Sequence, residues 1–354
     1  MEDSRRKFLK LGTGVAAGTL LAAQTKAAMA DTPDAASTPS IPASPAGKAA
    51  TLRLVSFTPK SGGATRVGAV NDAGGVVDFG QAAHAAGIRL AFDPASMVSL
   101  TASGATGLAQ ARHLASTGAH HTLANVTLLA PIPTPTRNVY AVGWNYLEHF
   151  EESLTAKKAA APLPAHPVFF TKDTHTVNAP FGTIPYNPAV SVKIDWEGEL
   201  AVIIGKRGRN VTEADAMNYV FGYTVINDTT ARDIQMDHGG QWFKGKSLDG
   251  HGPMGPWIIP ASDLDYNNLD LSTRVNGVVK QSINTSKMYF KIPRIVSELS
   301  LGLTLEPGDM IATGTPSGIG AARTPPEFLK PGDVLETEIA QIGTIRNVIT
   351  LVSA

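Results

Sequence analysis

The chain has 354 residues, of which 43% are hydrophobic and 17% charged, and its 30 Lys and Arg residues balance its 30 Asp and Glu residues. This composition is typical of a globular protein with a sizeable core and excludes a mainly disordered chain. The sequence contains no cysteine, which excludes disulfides, thiolate catalysis and cysteine-ligated zinc.

The first thirty residues have the pattern of a twin-arginine signal peptide. They contain the basic start SRRKFLK, an apolar stretch at 11–23, and Ala28-Met29-Ala30, which has a small residue on each side of Met29 as at a cleavage site. An uncleaved anchor helix is the alternative, but the apolar stretch is short and is interrupted by three glycines. We therefore expect residues 1–30 to be removed and the mature protein to be exported by the twin-arginine route to the periplasm.

The mature chain is expected to be nearly neutral. Cleavage would remove five basic and two acidic residues, which leaves a formal charge of −3. A chain of this charge has no electrostatic basis for binding nucleic acid. No later stretch is long and apolar enough to span a membrane, so we expect no stable membrane insertion once the signal is gone.

Residues 31–50 and 51–130 differ sharply in composition. The first segment is rich in Pro, Ala and Ser and has almost no large apolar side chain, so we interpret it as a linker. The second begins with the short strand patterns TLRLVSF, TRVGAVN and GGVVDFG, followed by Ala-rich helical stretches near 81–90 and 105–117. We predict a small β-rich N-terminal domain there.

Residues 131–354 are also predicted to consist mainly of strands. Segments of strand length with β-branched residues recur between Gly and Pro, and helices are predicted only near 146–158, 212–219 and 293–301. Thr212 and Asp215 form a capping pattern for the second of these helices. Because strands and helices do not alternate regularly, the sequence favours a mainly β (α+β) fold, a roll or barrel-like sandwich, over a doubly wound sheet.

Two carboxylates stand close together in DWEGEL, just before the apolar run LAVIIG. Side chains two apart on a strand point the same way, so Glu197 and Glu199 are predicted to share a face. A solvated strand edge is the alternative, but buried carboxylates are costly unless they are paired or bound to metal. A third carboxylate, Asp228, ends the strand pattern FGYTVIND. Three carboxylates at strand ends predict an all-oxygen site for a hard cation, Mg²⁺ or Mn²⁺ before Zn²⁺.

The segment GQWFKGKS, residues 240–247, matches the phosphate-loop pattern GxxxxGK[ST]. Large aromatic side chains fill this loop, and the following LDGHGPMGP contains Gly and Pro that prevent the helix a phosphate loop requires. Nucleotide binding is therefore not favoured. The later ATGTPSGIG likewise lacks the third glycine of a dinucleotide fingerprint and the GxSxG of a serine hydrolase.

Seven segments, in this order along the chain, resemble the fumarylacetoacetate hydrolase family: GWNYLEHFEES, PVFFTKD, DWEGELAVIIGK, GYTVINDTTARDIQ, QWFKGKSLDGHGPMGP, NTSKMYF and LEPGDMIATGTPSGIG. The resemblance covers about residues 136–352, and the part from Thr51 onward fits the family's variable front domain. It implies a mixed β-sandwich roll, a bound Mg²⁺ (or Mn²⁺), a homodimer, and small 2-oxo or β-diketo acids as substrates.

The resemblance also implies roles for individual residues. Glu197, Glu199 and Asp228 match the family's metal ligands, and His149 and Glu152 match its water-activating pair. Residues spaced i and i+3 lie on one side of a helix, and a carboxylate beside an imidazole orients it and keeps it basic.

Further positions match residues expected to contact the substrate. Lys246 corresponds to a catalytic cation that stabilises a developing enolate. Arg232 and Gln235 match positions that hold substrate or lid, and Thr315 matches a hydroxyl that binds the carboxylate of the 2-oxo acid. Lys172 is also assigned to substrate binding, with a surface lysine as the alternative.

The family resemblance leads to a first hypothesis and two alternatives. The first is a metal-dependent hydrolase that cleaves a C–C bond in acylpyruvate or β-diketo acids through a metal-bound enolate. The second is an isomerase or decarboxylase acting on 2-oxo acids of the 5-carboxymethyl-2-hydroxymuconate type. The third is a non-catalytic 2-oxo acid binding protein. This would suit the predicted periplasmic location, but such a protein would not need both His149 and Glu152.

Overall fold

The computed structural model describes residues 40–42, 51–157 and 160–353. The predicted signal peptide, 1–30, lies outside these residues, as does nearly all of the predicted linker, 31–50, so both stay predictions. Every helix in the described part of the chain is too short or too polar to cross a membrane.

Most of the regular structure is strand. The strands have the following bounds: β1 Arg53–Pro59, β2 Arg66–Val70, β3 Gly75–Asp78, β4 His121–Thr122, β5 Val126–Leu128, β6 Val139–Gly143, β7 Val168–Lys172, β8 Val177–Asn178, β9 Thr183–Tyr186, β10 Ile194–Asp195, β11 Gly198–Ile204, β12 Val220–Asn227, β13 Thr230–Ala231, β14 Gly252–Pro260, β15 Asp270–Val275, β16 Val278–Asn284, β17 Met310–Ala312, β18 Val334–Ile339 and β19 Gly343–Leu351. The prediction of a mainly β (α+β) fold is confirmed.

Seven α-helices are found among the described residues: α1 Phe79–Ala86, α2 Met97–Ala102, α3 Gly104–Ala115, α4 Leu147–Lys157, α5 Arg232–Asp237, α6 Phe243–Lys246 and α7 Ile292–Ser300. The helix predicted at 212–219 is shorter than expected. The Thr212 hydroxyl and the Asp215 backbone do form the predicted capping bonds, but only the 3-10 turn Ala216–Tyr219 follows them. The short helices α5 and α6 were not predicted, because each has fewer than two turns and no clear periodicity.

The strands form a twelve-stranded sheet, a five-stranded sheet and a short two-stranded ladder among the described residues. The main path of the large sheet runs β4-β3-β2-β1-β14-β12-β11-β17-β6-β7, and the five-stranded sheet runs β16-β15-β18-β19-β9. Strand β1 of the N-terminal segment pairs with β14, with Leu54 opposite Ile258. One sheet therefore joins residues 51–130 to the remainder, and all described residues belong to one compact unit spanning 35–354. The division at 130 and 131 stays a prediction.

The centre of the large sheet is the antiparallel ladder between β11 and β12. Both strands are buried along their full length, as expected for strands rich in Val, Ile and Leu on both faces. The ladder begins with Gly198 opposite Asn227, and the Asp228 amide donates to the Glu197 carbonyl just beyond it, at 2.8 Å. This pairing brings the predicted metal carboxylates Glu197 and Glu199, from one strand, and Asp228, from the other, to the same end of the sheet.

Candidate active site

A cavity of about 250 Å³ lies at this end of the ladder. Most of the predicted site residues line it: His149, Glu197, Glu199, Arg232, Gln235, Lys246 and Thr315. The remaining three, Glu152, Asp228 and Lys172, lie behind these residues and contact them. The structure thus gathers residues from six separate segments around one space.

Glu197, Glu199 and Asp228 form a buried carboxylate cluster. One oxygen from each side chain lies within 4.8 Å of the others, and all three residues are buried. Glu197 and Glu199 are on one face because they are two residues apart, and Asp228 reaches them across the ladder. The solvated-edge alternative for these two glutamates is therefore wrong.

Two lysines neutralise part of this cluster. The Lys246 ammonium donates to Glu197 Oε2 and to Asp228 Oδ2, each at 2.6 Å. The Lys172 Nζ lies 2.7 Å from Asp228 Oδ1, and Lys172 is fully buried, so its alternative as a surface lysine is wrong. Lys172 contacts Asp228 from outside the cavity, and its predicted contact with substrate stays a prediction.

The three acids differ in their electrostatic surroundings. Burial raises the pKa of Glu199 well above its usual value, and the charges of Asp228 and Glu197 raise it further. Burial also acts to raise the pKa of Glu197, but Lys246 and Arg232 outweigh it and lower the pKa to about 2. Glu199 forms no ion pair among the described residues, and its Oε2 accepts from the Gly314 amide at 2.7 Å.

This donor set fits a hard divalent cation. Three carboxylates offer oxygen ligands, and a dication would neutralise Glu199, the member whose ionised form is least favourable. The structure therefore contains a Glu/Glu/Asp cluster able to hold a metal, and the preference for Mg²⁺ or Mn²⁺ stays a prediction.

Arg232 begins helix α5 and borders the cavity. Its Nε donates to Asp195 Oδ2 at 2.8 Å, one terminal nitrogen lies 2.6 Å from Glu197 Oε1, and the other donates to Gln235 Oε1 at 3.1 Å. Two carboxylates therefore fix the plane of the guanidinium. Arg232 and the adjacent Lys246 therefore bring positive charge to this end of the cavity.

His149 and Glu152 lie on the same side of helix α4, as their spacing predicts. His149 Nδ1 and Glu152 Oε1 are 2.9 Å apart, and His149 lines the cavity. The Gly318 amide donates to Glu152 Oε2 at 2.9 Å and to its Oε1 at 3.1 Å. Gly318 has φ +100°, and a Cβ there would lie 2.2 Å from the Lys280 carbonyl oxygen, so this close approach requires glycine.

Thr315 lies at the floor of the cavity, but its hydroxyl already has protein partners. It donates to the Gly198 carbonyl at 3.1 Å and accepts from Gln281 Nε2 at 2.8 Å. To donate to a substrate carboxylate, as predicted, this hydroxyl would have to give up its hydrogen bond to the Gly198 carbonyl.

An aromatic wall, Trp144, Phe170 and Trp242, was missed by the sequence analysis. The Trp242 ring centroid is 5.1 Å from that of Trp144 and 5.3 Å from that of Phe170, in edge-to-face arrangement. Trp144 has φ +55°, which is uncommon outside glycine, and a Cβ on Gly143 would lie 2.3 Å from the Trp242 ring. The cavity therefore has one charged end and one aromatic side.

Comparison with known proteins identifies the family that this chain resembles over most of its length. The family model described as fumarylacetoacetate (FAA) hydrolase C-terminal matches residues 138–350. The oxaloacetate tautomerase YisK of Bacillus subtilis is 43% identical over 264 residues, which are 72% of this chain and 86% of that protein.

Solved structures share the fold. The fumarylacetoacetate hydrolase of Exiguobacterium antarcticum is 35% identical with a TM-score of 0.69, and the match covers 85% of this chain and 100% of that chain. A 5-carboxymethyl-2-hydroxymuconate delta-isomerase from Mycobacterium smegmatis is 30% identical with a TM-score of 0.63, and covers 85% of this chain and 100% of that chain. Proteins similar to this chain thus include a tautomerase, a hydrolase and an isomerase.

Proposed function

The chain belongs to the fumarylacetoacetate hydrolase family, and we propose that as an enzyme of this family it catalyses keto–enol tautomerisation of a small 2-oxo acid, oxaloacetate being the first substrate to test. The observation that carries this proposal is the pairing of one base, His149, with a cluster of cations in one small cavity. Tautomerisation needs a proton moved between carbon and oxygen, and it needs no bond to be broken in the carbon chain.

His149 is suited to move that proton. Because Nδ1 is held by Glu152, the other ring nitrogen, Nε2, is left to accept a proton from the enol hydroxyl of the substrate. A proton added at the neighbouring carbon gives the keto acid, and the reverse transfers give the enol. Glu152, itself held by the Gly318 amide, stabilises the imidazolium while the proton resides there.

The cations are suited to bind the acid. Arg232 and Lys246 provide positive charge for the carboxylate and for the negative charge that develops on the 2-oxo oxygen. A divalent cation held by Glu197, Glu199 and Asp228 would supply Lewis acidity to the 2-oxo group.

Hydrolysis of a C–C bond in an acylpyruvate, the first hypothesis from the sequence, is the second candidate. The same His149–Glu152 pair that moves a proton could activate a water molecule, and a similar structure bears the name of a hydrolase. The two candidates differ in products, because hydrolysis of an acylpyruvate releases pyruvate and tautomerisation does not.

The test follows the ultraviolet absorbance of the enol form of oxaloacetate and measures pyruvate in parallel. Reactions containing Mg²⁺ or Mn²⁺ are compared with reactions containing chelator. We expect metal-dependent loss of the enol band faster than the spontaneous reaction, without pyruvate. An acylpyruvate that yields pyruvate would instead support the hydrolase, and oxaloacetate that yields pyruvate would support a decarboxylase. Binding of oxaloacetate without any turnover would support the non-catalytic binding protein.

His149→Gln is the informative variant, and His166→Gln is its matched control. His166 also has Nδ1 2.9 Å from a glutamate oxygen, that of Glu298, but it is exposed and does not line the cavity. We expect His149→Gln to lower the rate by about 100-fold or more, as for loss of a general base, and His166→Gln to leave it unchanged. Equal rates in the two variants would contradict the role proposed for His149.

Export by the twin-arginine route, a periplasmic location and a homodimer remain proposals from the sequence. N-terminal sequencing of protein from the periplasmic fraction would test cleavage near residue 30, and sedimentation equilibrium of the mature chain would test the dimer.

A further inference from the structure

Asp195 is a buried carboxylate that none of the steps above uses. It stands two residues before Glu197, at the end of β10, and is fully buried. It does not line the cavity, yet both of its oxygens are occupied. Oδ1 accepts from the amides of Trp196 at 2.8 Å and Gly320 at 2.7 Å. Oδ2 accepts from the Ala321 amide at 3.0 Å and from Arg232 Nε at 2.8 Å.

The bond to Arg232 restrains a side chain that borders the cavity. With Nε held by Asp195 and one terminal nitrogen near Glu197, the guanidinium has little freedom to rotate. A planar guanidinium gains specificity for a carboxylate only when its fork is held in the right plane. Displacement of a binding group by about 1 Å can cost about 100-fold in rate.

The bonds to Gly320 and Ala321 restrain the loop at 314–321. This loop carries backbone donors to three carboxylates: Gly314 donates to Glu199, Gly318 to Glu152, and Gly320 with Ala321 to Asp195. Thr315, Ile319 and Ala321 line the cavity, so the loop is also one of its walls. Asp195 therefore links Arg232 to the loop, and both of these line the cavity.

We propose that Asp195 is a positioning residue that sets the affinity of the site for 2-oxo acids by holding Arg232 and the 314–321 loop in one arrangement. It acts without touching the substrate. The inference rests on the proposed function in naming the ligand class, but the contacts that carry it do not depend on the reaction.

The test is a double-mutant cycle with Asp195→Asn and Arg232→Lys. Every contact of the Asp195 carboxylate is from an N–H donor, so either orientation of an asparagine places its NH2 against a donor. Arg232→Lys keeps the positive charge and removes the fork. We expect each single variant to raise KM for oxaloacetate about tenfold or more, as for loss of a partner that orients a binding group, with a smaller change in kcat. The double variant should be little worse than either single variant, because both break one link.

Asp309→Asn is the matched control. Asp309 is also a buried aspartate paired with an arginine, Arg137 at 2.7 Å, and it also accepts a backbone amide, that of Glu306 at 2.8 Å. It does not line the cavity, so its loss should lower Tm without changing KM. If Asp195→Asn behaves in the same way, with lower Tm and unchanged KM, or if the two changes in the cycle are additive, the proposal is overturned.

A binding measurement separates this inference from the proposed reaction. Calorimetric titration with oxalate, a planar dianion that resembles the enolate of a 2-oxo acid, should show about tenfold weaker binding in Asp195→Asn, while Mg²⁺ alone binds as in wild type. If wild type binds oxalate in this Asp195-dependent way but turns over no oxaloacetate, the proposed reaction fails and the positioning role stands. If oxalate binds both proteins equally, the positioning role fails whatever the reaction is.

Should Asp195→Asn fail to fold, Asp195→Glu is the substitute variant, since it keeps the negative charge but displaces it by one methylene from Arg232 and from the Gly320 and Ala321 amides. A raised KM for oxaloacetate would support the inference, and an unchanged KM would overturn it.

Discussion

The two ends of strand β11 are equally buried but chemically opposite. On one strand face, Glu197 and Glu199 are followed by Ala201 and Ile203, and all four residues are at most 4% exposed. Hydrocarbon is stabilised by leaving water, whereas a buried carboxylate loses solvation and needs compensation. The same strand face therefore contains apolar residues that stabilise the fold and, two residues away, carboxylates that destabilise it.

The charged end is compensated by side chains from other segments. Lys246, Lys172 and Arg232 each lie within 2.7 Å of a carboxylate oxygen of Glu197 or Asp228, whereas Glu199 has no such partner among the described residues. At the apolar end, Ile203 packs in a cluster with Ile226 and Ile258. An uncompensated buried charge is therefore a stronger indication of a functional site than burial itself.

Glu199→Ala should give the largest effect on activity. A bound dication contributes several kcal/mol to the reaction, so loss of one of its ligands should lower kcat/KM for oxaloacetate by about 1,000-fold. Because the raised pKa of Glu199 reflects an unfavourable charge, the metal-free variant should unfold with a free energy no lower than that of wild type. Activity assays and urea unfolding in chelator check the two parts.

Glu338→Ala is the control. Glu338 is a partly exposed carboxylate paired with Arg274, and its loss should leave activity and stability unchanged. A variant that loses stability together with activity would remove the distinction between the two ends.

Ile203→Ala, at the other end of the same face, should have the opposite profile. Truncation of a fully buried isoleucine is expected to lower the free energy of unfolding by about 2–5 kcal/mol. The remaining folded protein should keep kcat/KM within about twofold of wild type, since the cavity is lined by other residues. Urea denaturation with activity measured at 25 °C checks both values. A large loss of kcat in fully folded protein would show that the two ends are coupled.

His251→Gln should change the pH dependence of stability. Burial and the nearby Lys172 charge lower the pKa of His251 from 6.5 to about 4, and its Nε2 donates to the Pro185 carbonyl. Between pH 6.5 and 4, His251 is protonated in the unfolded chain and neutral in the folded chain. Its contribution to the free energy of unfolding is therefore complete above pH 6.5 and is lost as the pH falls toward 4, by up to about 3 kcal/mol. Because glutamine does not titrate, the free energy of unfolding of His251→Gln should fall less than that of wild type between pH 6.5 and 4. Urea titrations in chelator at several pH values check this. Parallel profiles for the two proteins would contradict the assignment.

Trp242→Ala should give the smallest effect. Loss of its edge-to-face contacts with Trp144 and Phe170, each worth about 0.5–1.5 kcal/mol, should lower stability. Trp242 lines the cavity, so its removal takes away apolar surface that a substrate would contact and should raise KM several-fold. The increase should be larger for a 2-oxo acid with an apolar tail than for oxaloacetate, because the wall is apolar. Phe243→Ala, the exposed aromatic neighbour, is the control. A KM change of equal size in both variants would indicate a general disturbance of α6.

Part of the site could be predicted from the sequence because its signals are local. Glu197 and Glu199 share a strand face, and His149 and Glu152 share a helix face, since both relations follow from backbone periodicity. Asp195 and the aromatic wall, which the family motifs did not point to, were missed. Asp195 was visible in DWEGEL, but its partners lie 37 and 125 residues away, and no spacing rule connects them.

The mainly β class, the candidate site residues and the family could be read from the sequence, because hydrophobic periodicity and ordered motifs are properties of the chain. Which residues meet depends on the folded structure. It joined β1 to β14 in one sheet, placed Lys246 between Glu197 and Asp228, and packed Trp242 against Gly143 to form one side of the cavity. These contacts depend on strand order and on exact side-chain distances, and both are fixed only when distant segments pack against each other and exclude water.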